Sequence, residues 1–347
     1  MPADPRVTAG DERYFSLDTK IHDFTVRRAL NNFLFLDIAA QQCCGIQVRN
    51  AVGDPEVFRS TGAILGESLI WDARGDHPAM LWCDITAGLI HRSPLCMPAD
   101  GSADDTITLP PPLASFSVAE IGGRPGFIVS LEDRIVVTDS SGHLIRTVAE
   151  IHHSRLGLRL NEGKVDPAGR WITGSMNLFN DDPVGAFYSV SGDGDVRLLR
   201  GGIGVANGLE WSLDGRRIFF TDTSVGTIYT GAYSANGDIT DVNVFTRGAP
   251  HDGLTIDTDG NFWGALYGGG KVVHYNSNGA EVFAIDIPAL NLTSVAFGGA
   301  DLSMLYVASA RENLTQAQLE AYPLSGSVFA IQTDTQGRQP TPFFSRG

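Results

Sequence analysis

Three short segments each carry one oxygen-bearing side chain, a small residue and then the start of an apolar run. They are GESLIW (66–71) with Glu67, ANGLEW (206–211) with Asn207, and HDGLTI (251–256) with Asp252. A related segment, RLNEGKV (159–165), supplies Arg159, Asn161 and Glu162. Carboxylate and amide oxygens are ligands for a hard divalent cation. Asn-Gly and Asp-Gly are also ordinary turn dipeptides, so one such match carries little weight. Three matches in register, with Arg159 and Asn161 beside them, favour a site. Other chemistries find no support. There is no GxSxG elbow around any serine. Gly268–Gly270 lacks the Lys-Ser/Thr of a phosphate loop and reads as a hairpin turn. Cys43, Cys44, Cys83 and Cys96 have neither zinc spacing nor a disulfide pattern and read as reduced thiols. His152 and His153 read as turn residues. Asp104–Asp105 and Asp181–Asp182 read as solvated loop acids.

Converging these segments requires a repeating scaffold. From about residue 60 onward, turns rich in Gly and Asp alternate with short β-branched and aromatic strands. Six such units follow one another at a spacing of roughly 35 to 50 residues, the range of propellers and solenoids. Forty of the 347 residues are glycine. Glycine weakens helices and serves turns, so this content disfavours a helical bundle. Radial repetition of four-stranded sheets accounts for both the glycine and the period. The expected fold is all-β: a six-bladed β-propeller over 59–347, with an N-terminal extension over 1–58 that packs on it. TGAILGESLIW (61–71) and TPFF (341–344) are the expected ring-closing strands. KIHDFTVRRALNNF (20–33) and RENLTQAQLEAY (311–322) read as short helices. Trp71, Trp82, Trp171, Trp211 and Trp263 fall at strand positions and are expected in interblade packing.

Twenty-five basic against forty acidic residues give a net charge of −15. This argues against nucleic acid or an anionic membrane as partner. No apolar run approaches the length of a membrane span, and the first residues do not form a secretory signal. A cytoplasmic protein is expected; oligomeric state is not legible.

In order and spacing, the chain from about Gly66 to Arg311 resembles the regucalcin, gluconolactonase and luciferin-regenerating-enzyme-like family of six-bladed propellers. The resemblance rests on GESLIWD (66–72), LWCDI (81–85), RLNEGKVDPAGRWITGSM (159–176), NGLEWSLDGRRIFFTD (207–222), DGLTIDTDGNFWGALYGGGKV (252–272) and FGGADLSMLYVASAR (297–311). It implies one divalent metal on Glu67, Asn207 and Asp252, calcium first, with zinc, manganese, magnesium or iron(II) as alternatives. It implies substrate contacts from Arg159, Asn161, Glu162 and Met176, and a lactonase that opens a small lactone with a metal-activated water. Asp252, Arg159 and Asn161 take the catalytic roles in that reading. Leu69 and Glu162 stand where the family usually has Pro and Asp, and Asn177, Leu178 and Phe179 replace a more polar stretch. A less polar lactone, another ester or an organophosphate-like substrate therefore stays open beside a sugar lactone. A calcium- or ligand-binding propeller without turnover is the other class of reading.

Overall fold

In the computed structural model, residues 52–345 are described apart from 76, 96–101, 103, 180 and 181. The helix expected over 20–33, three of the four cysteines and Asp181 lie outside the described residues.

Six antiparallel sheets account for nearly all the regular structure. Their innermost strands are Gly66–Asp72, Ser115–Ile121, Leu158–Val165, Ala206–Trp211, His251–Ile256 and Asn291–Gly298. Each packs against the next, and the last returns to the first, closing the ring. The fold is a six-bladed β-propeller. The hairpins follow directly from turn chemistry. Asp139, Asp166, Asp257 and Asn276 each accept, through one side-chain oxygen, the main-chain N–H groups two and four residues on. This Asx geometry holds the outer turn while glycine takes the left-handed position, as at Gly169 (φ 82°) and Gly260 (φ 82°). Between blades the core is apolar and aromatic. All five tryptophans are at most 3% exposed, as interblade packing requires. Trp171 of the third blade donates from Nε1 to Ser130 Oγ of the second at 2.9 Å.

Ring closure differs from the expectation. The 61–71 segment supplies the innermost strand of the first blade, and TPFF does not close the sixth. Blade six takes three strands from the C-terminal part of the chain. Its fourth and outermost strand is Glu56–Arg59, paired antiparallel with Val328–Gln332. The propeller thus includes Glu56–Phe58, residues assigned above to the extension. Phe343–Ser345 pairs instead in parallel with the innermost strand of blade two. Three residues offer too short a ladder to complete a blade, whereas the existing edge of Val328–Gln332 accepts the upstream strand.

Arg59 locks this closing strand to the first blade. Its Nε donates to Asp104 Oδ1 at 2.8 Å and its Nη1 to Phe58 O at 2.8 Å. Nη2 donates to Pro94 O at 2.6 Å. Both charged side chains are buried, at 1% and 2% exposure. Asp104 is therefore an interblade anchor and not a solvated loop acid. Removing one partner of a buried pair strands the other charge. Arg59→Ala is expected to lower the unfolding free energy by about 3–5 kcal/mol, read by chemical denaturation.

The 311–322 segment forms the short helix Gln316–Ala321, capped by Thr315 in a capping box with Gln318. No helix among the described residues is long and apolar enough to cross a membrane.

Candidate active site

A β-bulge recurs at one level of five innermost strands. Register shifts fall between Glu67 and Ile70, Leu160 and Gly163, Asn207 and Glu210, His251 and Leu254, and Leu292 and Val295. A bulge adds a residue, kinks the strand and re-aims a side chain. Glu67 and Asn207 are the last paired residues before the shift and Asn161 and Asp252 the first unpaired ones after it, and all four line one cavity of about 290 Å³. Thr293, the first unpaired residue of the fifth bulge, is buried and donates to Gly66 O instead. Blade two is paired without interruption and contributes no bulge side chain. The left-handed conformation that the bulge imposes appears at Ser68 (φ 54°) and Gly208 (φ 45°), each directly after a proposed metal ligand.

The same cavity is lined by Arg159 and Met176, which face one another across the Leu158–Val165 and Trp171–Asn177 ladder. A chain of hydrogen bonds fixes the polar groups. Arg159 Nη1 donates to Leu160 O and to Asn161 Oδ1, both at 2.8 Å. Asn161 Nδ2 donates to Asn207 Oδ1 at 2.7 Å and to Ala206 O at 3.1 Å. Asn207 Nδ2 donates to Thr223 Oγ1 at 2.9 Å, and that hydroxyl donates to His251 O at 2.6 Å. Thr223 thereby sets which way the Asn207 amide faces and ties it to the strand bearing Asp252.

Glu162 is not brought into this cavity. Its Oε1 accepts from Gly163 N–H at 2.8 Å and its Oε2 from Gly208 N–H at 3.0 Å. It lines a separate cavity of about 90 Å³, further along the same innermost strands, with Lys164, Glu210 and Arg338. There it braces the bulge behind Asn207. Lys164 Nζ donates to Glu210 Oε2 at 3.1 Å and Arg338 pairs with Glu210 Oε1, so the C-terminal segment covers that end.

Asp252 is buried and Glu67 half-buried, and both carboxylates line the same cavity. Burial, then the charge of Glu162, pushes Glu67 up to about 8. Burial, then the charges of Glu67 and Glu162, raises Asp252 well above the ordinary carboxylate range, while Arg159 opposes both shifts. Two carboxylates in one enclosed cavity are costly unless a proton or a cation sits with them. The donor set is all oxygen: two carboxylates and the oriented amide oxygen of Asn207. It fits a hard divalent ion. No group of three or more His, Cys, Asp or Glu side chains with ligand geometry occurs among the described residues, in keeping with a set of two carboxylates and one amide.

Four polar residues of the cavity escaped the sequence reading, Thr223, Tyr267, Glu312 and Asn313, as did the apolar Leu65, Ile85 and Val205. Thr223 follows the Arg217–Asp222 strand, where no repeat signal marks it. Glu312 lies in the insertion that sequence reads only as a helix.

The family comparison bears on this geometry. Residues 65–311 match the SMP-30/Gluconolactonase/LRE-like region. The chain belongs to this family. The chain is 34% identical over 280 residues to the 6-deoxy-6-sulfogluconolactonase of Pseudomonas putida, covering 79% of this chain and 93% of that protein. It is 34% identical over 258 residues to the pentonolactonase of Haloferax volcanii, covering 72% of this chain and 83% of the relative. Among solved structures, the calcium-binding protein regucalcin from Agrobacterium tumefaciens superposes with a TM-score of 0.75 at 28% identity, covering 84% of this chain and 97% of that one.

Orientation of the amide is itself testable. Thr223→Val removes the acceptor for Asn207 Nδ2 and frees the amide to rotate. Partners that orient a metal ligand are typically worth 10–100-fold in affinity. Titration calorimetry with calcium or manganese should show affinity about 10–100-fold weaker, with the melting temperature close to the parent's.

Proposed function

We propose that this chain is a divalent-metal-dependent lactonase acting in the larger of the two cavities. The observation that carries the reading is the convergence of Glu67, Asn207 and Asp252 with Arg159 and Asn161 in one cavity. Relatives in the same family bear lactonase names, which supports the reaction class. Glu67, Asn207 and Asp252 would hold the cation. When bound, it would supply Lewis acidity toward a lactone carbonyl and lower the pKa of a water.

The protein's own groups then have distinct tasks. Asp252 is placed to take the proton from the attacking water as the carbon–oxygen bond forms. The Arg159 guanidinium donates to the carbonyl oxygen as negative charge grows on it. Among the described residues only Nη1 of Arg159 is engaged in hydrogen bonds, which leaves further donors of its fork for a ligand. Asn161 fixes Arg159 and Asn207 relative to one another, so donor and ligand keep their spacing as charge develops. Collapse of the tetrahedral species breaks the acyl–oxygen bond, and the ring oxygen leaves as a hydroxyl with the proton held at Asp252. Met176 packs at the side of the cavity as an apolar contact for the ring.

Hydrolysis in ¹⁸O-labelled water tests this course. The hydroxy acid should carry one label in its carboxylate and none in the released hydroxyl. Label in the hydroxyl would mean attack at the alkyl carbon and would remove the roles given to Arg159 and Asp252.

A further inference from the structure

The cavity mixes apolar and polar lining. Leu65, Ile85 and Val205 are its apolar part, while Tyr267, Glu312 and Asn313, from the adjacent fifth and sixth blades, form a polar wall. The polar wall is built with care. The main-chain N–H of Glu312 donates to Ile64 O at 2.8 Å, and its C=O accepts from Asn291 Nδ2 at 2.9 Å. The next residue, Asn313, is left-handed (φ 61°), and its Nδ2 donates to the Tyr267 hydroxyl at 2.9 Å. The backbone on which Glu312 rides is thus pinned from both neighbouring blades.

Its side chain is treated differently. Oε2 of Glu312 is shut off from solvent and has no hydrogen-bond partner among the described residues. Among the carboxylates around Arg159, Glu312 exerts the largest pull on the guanidinium. Glu67 and Asp252 would be matched by the cation they hold, whereas the counter-charge of Glu312 is the Arg159 guanidinium. An acceptor that is buried, unused and charged favours a ligand that brings a donor to it and disfavours one that brings a second negative charge.

We propose that Glu312 is a specificity-determining residue. It accepts a hydrogen bond from a hydroxyl of an uncharged lactone and turns away lactones that place a carboxylate, sulfonate or phosphate against this wall. The inference rests on the lactonase reading of the cavity and deepens it to a selectivity: among lactones, a neutral one that brings a hydroxyl to Glu312.

The test uses binding, so that it stands apart from turnover. Two hydrolysis-resistant lactams, one of an aldonic acid and one of the corresponding aldaric acid, differ by a single carboxylate. Calorimetry on the calcium-loaded protein should find the neutral lactam bound at least about tenfold more tightly than the anionic one. Glu312→Gln should bring the two within about threefold, weakening the first and strengthening the second. Glu312→Asp keeps the charge and should keep the preference. An unchanged ratio in Glu312→Gln, equal binding of both lactams by the parent protein, or binding of neither would overturn the proposal. So would equal loss of preference in both variants, which would mark a structural role. Turnover of the aldonolactone is followed alongside. Its absence counts against the hydrolase, while the binding ratio still decides the role of Glu312.

Discussion

Asp252→Asn is expected to abolish lactone hydrolysis, by about a thousandfold or more in kcat, while leaving the propeller folded. The size follows from the two tasks that meet at this carboxylate. Loss of a general base costs about 10²–10⁴ by itself. The substitution also removes one of the two anionic ligands in an all-oxygen set, so cation affinity falls with it. The fold should survive because the burden on Asp252 runs the other way. Its carboxyl is buried close to Glu67, and after burial itself the charges of Glu67 and Glu162 help raise it. An amide of the same shape relieves that repulsion. Steady-state kinetics and a thermal melt on one preparation check both halves: activity gone, melting temperature held or raised.

Gly208→Ala is expected to damage stability and activity together. Gly208 has φ 45° in the bulge after Asn207, a conformation that costs an L-residue about 1–2 kcal/mol. A methyl group there would also stand 2.4 Å from Asp252 O and from Thr221 Oγ1, and 2.9 Å from Leu254 Cγ. Two of those three atoms belong to the neighbouring strand that carries Asp252. Relief requires the fourth and fifth blades to part just where Asn207 and Asp252, two of the proposed ligands, come together. Strain and overpacking together are expected to cost about 3 kcal/mol. Displacing catalytic groups by about an ångström costs on the order of a hundredfold in rate. Gly201→Ala is the control, since a methyl group there meets no atom within 4 Å. Equal behaviour of the two variants would contradict the close-approach account of the bulge.

The site was legible in sequence to the extent that its residues sit on a repeated element. Glu67, Asn207 and Asp252 share a local form because each occupies the same bulge. The direction of Glu162 was not legible. It follows Asn161 on the same bulged strand, and the bulge sends the two side chains into different cavities. Glu312 and Thr223 lie outside the repeat, so only folding reveals their proximity to Arg159 and Asn207. The blades were readable from Asp-Gly turns and strand period. Ring closure was not, because Glu56–Arg59 is four residues long and pairs with a strand more than 260 positions away. The burial of Asp104 has the same origin, since its partner Arg59 belongs to a different blade.

The most direct measurement of the central claim is acid release from a panel of aldonolactones and alkyl lactones, followed with a pH indicator. The purified protein is assayed as prepared, after exhaustive chelation, and after single divalent metals are restored. The account predicts turnover of at least one lactone, its loss on chelation, its recovery with one or more restored metals, and no recovery in Asp252→Asn. Tight metal binding at Glu67, Asn207 and Asp252 without turnover of any lactone, or turnover indifferent to chelation, would contradict it.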